Sequence, residues 1–88
     1  MSTCHVVSSA TALSHCVTFV RSGDVVVFEG AGVLCVDQPD RLPDVPCYFI
    51  SDDVAARGMV VDAQVGFLLT IDAFVNLLLE HDNQVSWP

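Results

Sequence analysis

Lysine is absent from this chain of 88 residues, and arginine occurs only three times. Because 11 residues are acidic, the net charge is −8. A chain with so few cations offers no basic patch for phosphates, so we expect it to make no direct contact with nucleic acid. The acidity suits a basic partner protein, a high-salt cytoplasm or simply a solvated acidic surface.

Signals for export, membrane insertion and metal binding are also lacking. No basic region followed by an apolar one opens the chain, and Asp62 and Asp72 interrupt its longest apolar stretch. We therefore expect a cytoplasmic protein that does not enter a membrane. The four cysteines lie too far apart in sequence for a CxxC pair or a zinc site, and in the cytoplasm they stay reduced. We predict no metal and no other cofactor.

Hydrophobic residues are abundant by contrast, at 52% of the chain with a mean hydropathy of +0.56. The length predicts a single domain over residues 1–88, which can bury roughly 60–65% of its unfolded surface. Surplus apolar surface on so small a fold commonly ends in a subunit interface. We therefore expect an oligomer.

Strand and helix patterns alternate along the chain. The run Val25-Val26-Val27-Phe28 is typical of a parallel strand covered on both faces, and three prolines keep residues 39–46 irregular. Predicted strands are 3–7, 24–28, 47–50, 59–61, 65–69 and an edge strand at 84–87; predicted helices are 10–21, a short one that follows the N-cap Ser51 and stops at Gly58, and 71–81. This order predicts a three-layer α/β/α sandwich with a small, mainly parallel sheet.

Two of these helices carry apolar residues at helical spacing, which we expect to face the core. They are Leu13, Cys16, Val17 and Val20 in the first helix, and Phe74, Val75, Leu78 and Leu79 in the last. Ser8 or Ser9 is positioned to cap the first helix, and Ser22-Gly23 to end it.

The short helix after residues 47–50 stands where function is expected. Ser51 is placed as its N-cap, Asp52 and Asp53 in its first turn, Arg57 in its last turn and Gly58 at its left-handed stop. In open α/β sheets the loops at the carboxyl ends of the strands carry function. No cysteine, histidine or lysine stands at this junction.

Two enzyme classes are poorly supported. Gly30-Ala31-Gly32 looks like the start of a dinucleotide fingerprint, but position 35 is a cysteine and the motif follows the second predicted strand. Ser8, Ser9 and His5 invite comparison with a hydrolase triad, but no GxSxG elbow is present. His5 is better interpreted as a structural residue.

Among the thiols, Cys16 is the first candidate for a catalytic role. It lies about two turns into its helix, too far for the N-terminal dipole to lower its pKa strongly, and its simplest interpretation is a small buried hydrophobe. Cys35 follows a strand end, and exposure there would make it the second candidate. Cys4 and Cys47 fall in strands and are expected in the core.

Several segments together resemble the TusB/DsrH family by their order and spacing. They are His5, the Cys16 helix, residues 22–28, Asp53-Val54-Ala55-Ala56-Arg57-Gly58, Phe74-Val75-Asn76-Leu77 and Ser86-Trp87. The resemblance implies a DsrE/F/H-like fold and a subunit of a three-component complex, usually a dimer of heterotrimers. Its partners would be TusC/DsrF-like and TusD/DsrE-like subunits, and the complex passes persulfide sulfur either toward 2-thiouridine at the tRNA wobble position or into dissimilatory sulfur oxidation.

The resemblance also implies which subunit carries the sulfur. A TusD- or DsrE-like subunit has its active cysteine near the start of the helix that Ser51 opens here, where this chain has carboxylates that oppose a thiolate. An accessory, structural role is therefore expected, and the lack of export or metal features favours the tRNA pathway. Cys16 matches a cysteine of DsrH-type and some TusB-type members, which leaves an active persulfide carrier as one alternative; a homo-oligomeric binding domain is another.

Overall fold

Five short strands and three α-helices form the fold in the computed structural model, which describes residues 1–88. The strands are β1 (Thr3–Val7), β2 (Val25–Phe28), β3 (Cys47–Ile50), β4 (Phe67–Leu69) and β5 (Asn83–Trp87). The helices are α1 (Ala10–Cys16), α2 (Ser51–Ala56) and α3 (Ile71–Leu79), with 3-10 helices at Gly30–Asp37 and Pro39–Arg41.

All five strands are parallel and form one sheet in the order β4-β3-β2-β1-β5. Every residue of β2 is buried, as its continuous apolar run predicts. The edge strand predicted at 84–87 is also confirmed, because β5 pairs with β1 and lies at one end of the sheet. A small parallel sheet of this kind confirms the predicted α/β class.

Helices cover both faces of the sheet, so the predicted three layers are confirmed. The crossovers from β1 to β4 all advance in one direction across the sheet, whereas the crossover through α3 returns past β1. Since parallel crossovers are right-handed, α3 must lie on the opposite face from α1 and α2. We call the side of α1, α2 and the Gly30–Asp37 helix the first face and the side of α3 the second face. The two buried clusters match these faces, one containing Leu13, Phe28, Phe49 and Val54, the other Cys4, Val27 and Ile50, with Phe74 and Leu77 packed against it.

Helix α1 ends at Cys16 and does not reach the predicted end at residue 21. Its start is as predicted, since the Ser9 hydroxyl accepts the Ala12 N–H at 3.1 Å. The β-branched and aromatic residues of 17–20 are poor helix formers. The Arg21 N–H, moreover, donates to the Asp24 carboxylate at 2.9 Å instead of to a helical carbonyl.

Helix α2 begins one residue earlier than predicted. Ile50 occupies the N-cap position and Ser51 makes no capping hydrogen bond. Gly58 follows the helix with φ of 61°, which confirms the left-handed stop. No strand forms at 59–61, because the Met59 N–H turns back to the Val54 carbonyl at 3.1 Å and β4 occupies the place beside β3.

Helix α3 ends at Leu79, and half of its predicted core face is wrong. Phe74 and Leu78 pack on the sheet, but the side chains of Val75 and Leu79 are 51% and 76% exposed. Ala73 and Leu77 take part in the contact with the sheet instead. The helix is therefore rotated about its axis relative to the prediction. Ile71, Val75 and Leu79, which recur every fourth position, lie on a side that the sheet does not cover.

Candidate functional site

The chain leaves β3 and β4 toward opposite faces of the sheet. Strand β3 leads into α2 on the first face, and β4 leads into α3 on the second. Neighbouring connections that diverge in this way open a crevice at the carboxyl ends of the strands, which is where parallel sheets place ligands and reactive groups. Ser51 and Thr70 border this crevice, which is our candidate functional site.

The side chains at the start of α2 serve local structure. The Asp53 carboxylate accepts the Gly30 N–H at 2.8 Å and so joins α2 to the 3-10 helix after β2. Asp52 is exposed, and Ser51 is half-buried. Across the crevice the Thr70 hydroxyl accepts the Ala73 N–H at 3.2 Å and caps α3. No side chain at the start of α2 can act as a sulfur nucleophile, and the carboxylates there would oppose a thiolate nearby.

All four thiols are free and buried, none more than 3% exposed. Burial raises the pKa of the Cys4, Cys16 and Cys47 thiols to about 11, and it raises the pKa of Cys35 as well, although the nearby Arg41 opposes that rise. At pH 7 a thiol with a pKa of 11 is ionised in about one molecule in ten thousand. The expected core positions of Cys4 and Cys47 are confirmed.

The two candidate thiols have surroundings that suppress reactivity. Cys16 is the last residue of α1, at the negative end of the helix dipole, and after burial the Asp24 charge is a second cause of its raised pKa. Cys35 is 1% exposed, so the exposure considered for it was wrong: its 3-10 helix turns it into the core cluster of the first face.

A buried polar network joins β1, β2 and β5 away from the crevice. The Asp24 carboxylate lies 3.1 Å from His5 Nε2 and also accepts the backbone N–H groups of Thr3 and Arg21, each at 2.9 Å. On the other side of the ring, the Trp87 indole N–H donates to His5 Nδ1 at 3.1 Å. Because an indole can only donate, Nδ1 carries no proton and the Nε2–H donates to Asp24. His5 is therefore structural, as the sequence indicated.

Sequence reasoning missed Asp24, the centre of this network. Burial alone raises the pKa of its carboxyl, but the hydrogen bonds from the Arg21 N–H, the His5 ring and the Thr3 N–H outweigh burial and hold the pKa below its usual value. The available signal was an aspartate immediately before a buried parallel strand. Cys4 pairs with Val25, so the register places Asp24 beside the N–H of Thr3.

A cleft of about 560 Å³ opens at the opposite edge of the sheet, near the amino ends of β2 and β3. Val17, Arg21, Asp44 and Pro46 are among its lining residues. It contains neither a thiol nor a histidine. No cluster of side chains in the structure has the composition of a metal site, and none of the helices has the length and apolar character needed to cross a membrane.

These features define a class: a small α/β protein with an all-parallel sheet, no nucleophile at the start of α2 and no exposed thiol. A sequence model of the family described as DsrH like protein matches residues 7–84. The chain therefore belongs to the DsrH-like family, as the resemblance implied. No curated protein matches the sequence significantly. Members of this family are related to sulfur relay and typically work in complexes with DsrE/F-like partners.

Proposed function

We propose that this protein is an accessory subunit of a cytoplasmic TusBCD-type complex that relays sulfur for 2-thiolation of the tRNA wobble uridine. The observation that supports the accessory role is the burial of every thiol in the chain. TusC/DsrF-like and TusD/DsrE-like subunits are its partners, in a dimer of heterotrimers.

Sulfur transfer needs an accessible thiolate. In one step of a relay, the acceptor thiolate attacks the outer sulfur of a donor persulfide, the S–S bond breaks, and the donor leaves as a thiolate while the acceptor becomes the persulfide. Cys16 combines 0% exposure with a pKa raised to about 11. Both properties slow that attack, so the partner of the TusD/DsrE type carries the sulfur and this chain supports it.

Persulfide loading read by intact mass tests the accessory role. The reconstituted complex is incubated with a persulfide donor protein, and each subunit is weighed. We expect a gain of one sulfur, about 32 Da, on the TusD/DsrE-like subunit and none on this chain. A gain on this chain that disappears in Cys16→Ser, but persists in Cys4→Ser, would establish the alternative of an active carrier.

The destination of the sulfur is tested in the cell. Deletion of this chain should lower the 2-thiouridine content of tRNA, and the wild-type gene should restore it. Unchanged 2-thiouridine together with impaired growth on reduced sulfur compounds would instead assign the chain to dissimilatory sulfur oxidation, the role of a DsrH-type subunit.

A further inference from the structure

Three large apolar residues of α3 face outward in a row. Ile71, Val75 and Leu79 recur every fourth residue, which places them on one side of the helix, and their side chains are 52%, 51% and 76% exposed. The neighbouring side, formed by Ala73, Phe74, Leu77 and Leu78, already covers the sheet. We call Ile71, Val75 and Leu79 the outer stripe. An apolar row on a helix that has already covered its own sheet indicates an interaction surface.

The charges around the outer stripe have one sign. Residues 58–88 contain no lysine or arginine, while Asp72 in α3 and Glu80 directly after it flank the stripe. The side chains of Arg41 and Arg57 are held on the first face, since Arg41 Nη2 donates to Ala10 O in α1 at 3.0 Å and Arg57 Nη1 lies 3.4 Å from the Asp53 carbonyl in α2. Arg21 lines the cleft near the amino ends of β2 and β3, so none of the three arginines forms a salt bridge with Asp72 or Glu80.

An interface of ordinary size around the outer stripe would include the acidic residues beside it. Helix α3 has nine residues and is about 13 Å long, whereas a stable interface buries about 800 Å² on each side. An area of that size extends beyond the stripe on all sides, so it includes Asp72 and Glu80. Two copies of this chain that met through the stripe would press acidic rims together, and like charges across an interface are unfavourable.

We infer that the outer stripe of α3 is a docking surface for a partner protein whose matching surface has an apolar centre and a rim of lysine or arginine. The inference rests on the proposed function in one respect, which is that the partner is another chain of the relay complex. Apolar contact with Ile71, Val75 and Leu79 supplies the affinity, and the acidic rim selects the basic partner and excludes a second copy.

Matched glutamate substitutions test the surface. The DsrE-like and DsrF-like chains of the same genome serve as the binding probes, and the dissociation constant is measured for wild type, Val75→Glu, Leu79→Glu and the control Val60→Glu. Val60 is 85% exposed and lies outside α3, so its substitution introduces the same charge elsewhere. We expect Val75→Glu and Leu79→Glu each to weaken binding by about 30-fold or more, as at the centre of an interface, and Val60→Glu to bind like wild type.

The charge requirement is tested by Asp72→Lys/Glu80→Lys, which should weaken binding of the wild-type partner and abolish its dependence on salt between about 0.05 and 0.5 M. Far-UV circular dichroism and the unfolding midpoint verify that each variant is folded. Equal affinities for wild type and Val75→Glu would overturn the docking surface but leave the proposed function intact. A wild-type chain that binds neither probe would refute the proposed function and the named partner together. A dimer of this chain alone, seen by sedimentation and lost in Val75→Glu, would show that the outer stripe binds a second copy of the chain, and this result would also overturn the inference.

Discussion

Replacement of Asp24 by asparagine removes the charge at the centre of the His5–Asp24–Trp87 network without changing its shape. The carboxylate accepts three hydrogen bonds, from the N–H groups of Thr3 and Arg21 and from His5 Nε2. Asparagine has only one acceptor oxygen. In its better orientation that oxygen replaces Oδ2 and keeps the bonds from Arg21 and His5, but the new NH₂ group then faces the Thr3 N–H, donor against donor.

The cost follows from these contacts. One buried N–H loses its acceptor, which costs about 1–3 kcal/mol, and the two remaining bonds lose the strength that the charge gave them. We expect Asp24→Asn to lower the free energy of unfolding by about 3 kcal/mol. A domain of this size has a stability of about 5–10 kcal/mol, so the variant should still fold. Asp37→Asn is the matched control, because Asp37 is exposed and makes no side-chain hydrogen bond; we expect a change within about 0.5 kcal/mol.

Urea unfolding followed by the fluorescence of Trp87, the only tryptophan, measures both variants. Its pH dependence provides a second check. Because folding lowers the pKa of Asp24, its contribution is present above the pKa of the unfolded state and is lost as the pH falls through the folded value. The difference between wild type and Asp24→Asn should therefore be constant near neutrality and shrink below about pH 4. A difference under about 1 kcal/mol at pH 7, or one that persists undiminished at pH 2, would refute the reasoning.

Three further predictions concern single groups in the fold. In the native chain a thiol-specific dye should label none of the four cysteines within minutes and all four in denaturant, whereas rapid native labelling of Cys16 would contradict its burial. Gly32→Ala should destabilise the chain by about 3 kcal/mol or more, because the new Cβ would collide with the Val7 carbonyl, while Gly58→Ala, with open space at φ of 61°, should cost only about 1–2 kcal/mol; equal unfolding midpoints would contradict this difference. Trp87→Phe should cost about 1–2 kcal/mol, because it keeps an aromatic ring but leaves His5 Nδ1 without its donor, and the same loss measured in a His5→Ala background would show that this hydrogen bond contributes nothing.

The sequence predicts the sheet better than the ends of the helices. The continuous apolar run from Val25 to Phe28 is typical of a buried strand. The end of α1 is harder to predict, because helix propensity is weak after Cys16 and the Asp24 carboxylate, which accepts the Arg21 N–H, takes up its position only in the folded chain. The misplaced core residues of α3 have a related cause. Its apolar residues cover so wide an arc that periodicity does not decide which part meets the sheet, and Val75 and Leu79 are left outside.

Some features of the candidate site, too, can be predicted from the sequence, whereas others cannot. The lack of a nucleophile at Ser51 to Asp53 can be read directly from the chain, and the burial of Cys16 follows from its apolar neighbours. The burial of Cys35 depends on how the Gly30–Asp37 helix turns over the sheet. The network around Asp24 depends on a register between residues about 20 or 80 positions apart, and no local pattern reports such distances.

The pairing of β1 with β5 sets the order in which the molecule can assemble. These strands stand side by side, yet Thr3 pairs with Asn83 and Val7 with Trp87. One edge of β1 therefore stays unpaired until β5, about 80 residues later in the sequence, docks beside it. The strand that pairs with the other edge, β2, follows only about 20 residues after β1. Since contacts between distant residues close slowly, we expect folding on the time scale of milliseconds to seconds, limited by the docking of β5. Until that step the open edge of a buried, β-branched strand is exposed to other chains, so early binding of a partner would protect the nascent subunit from aggregation.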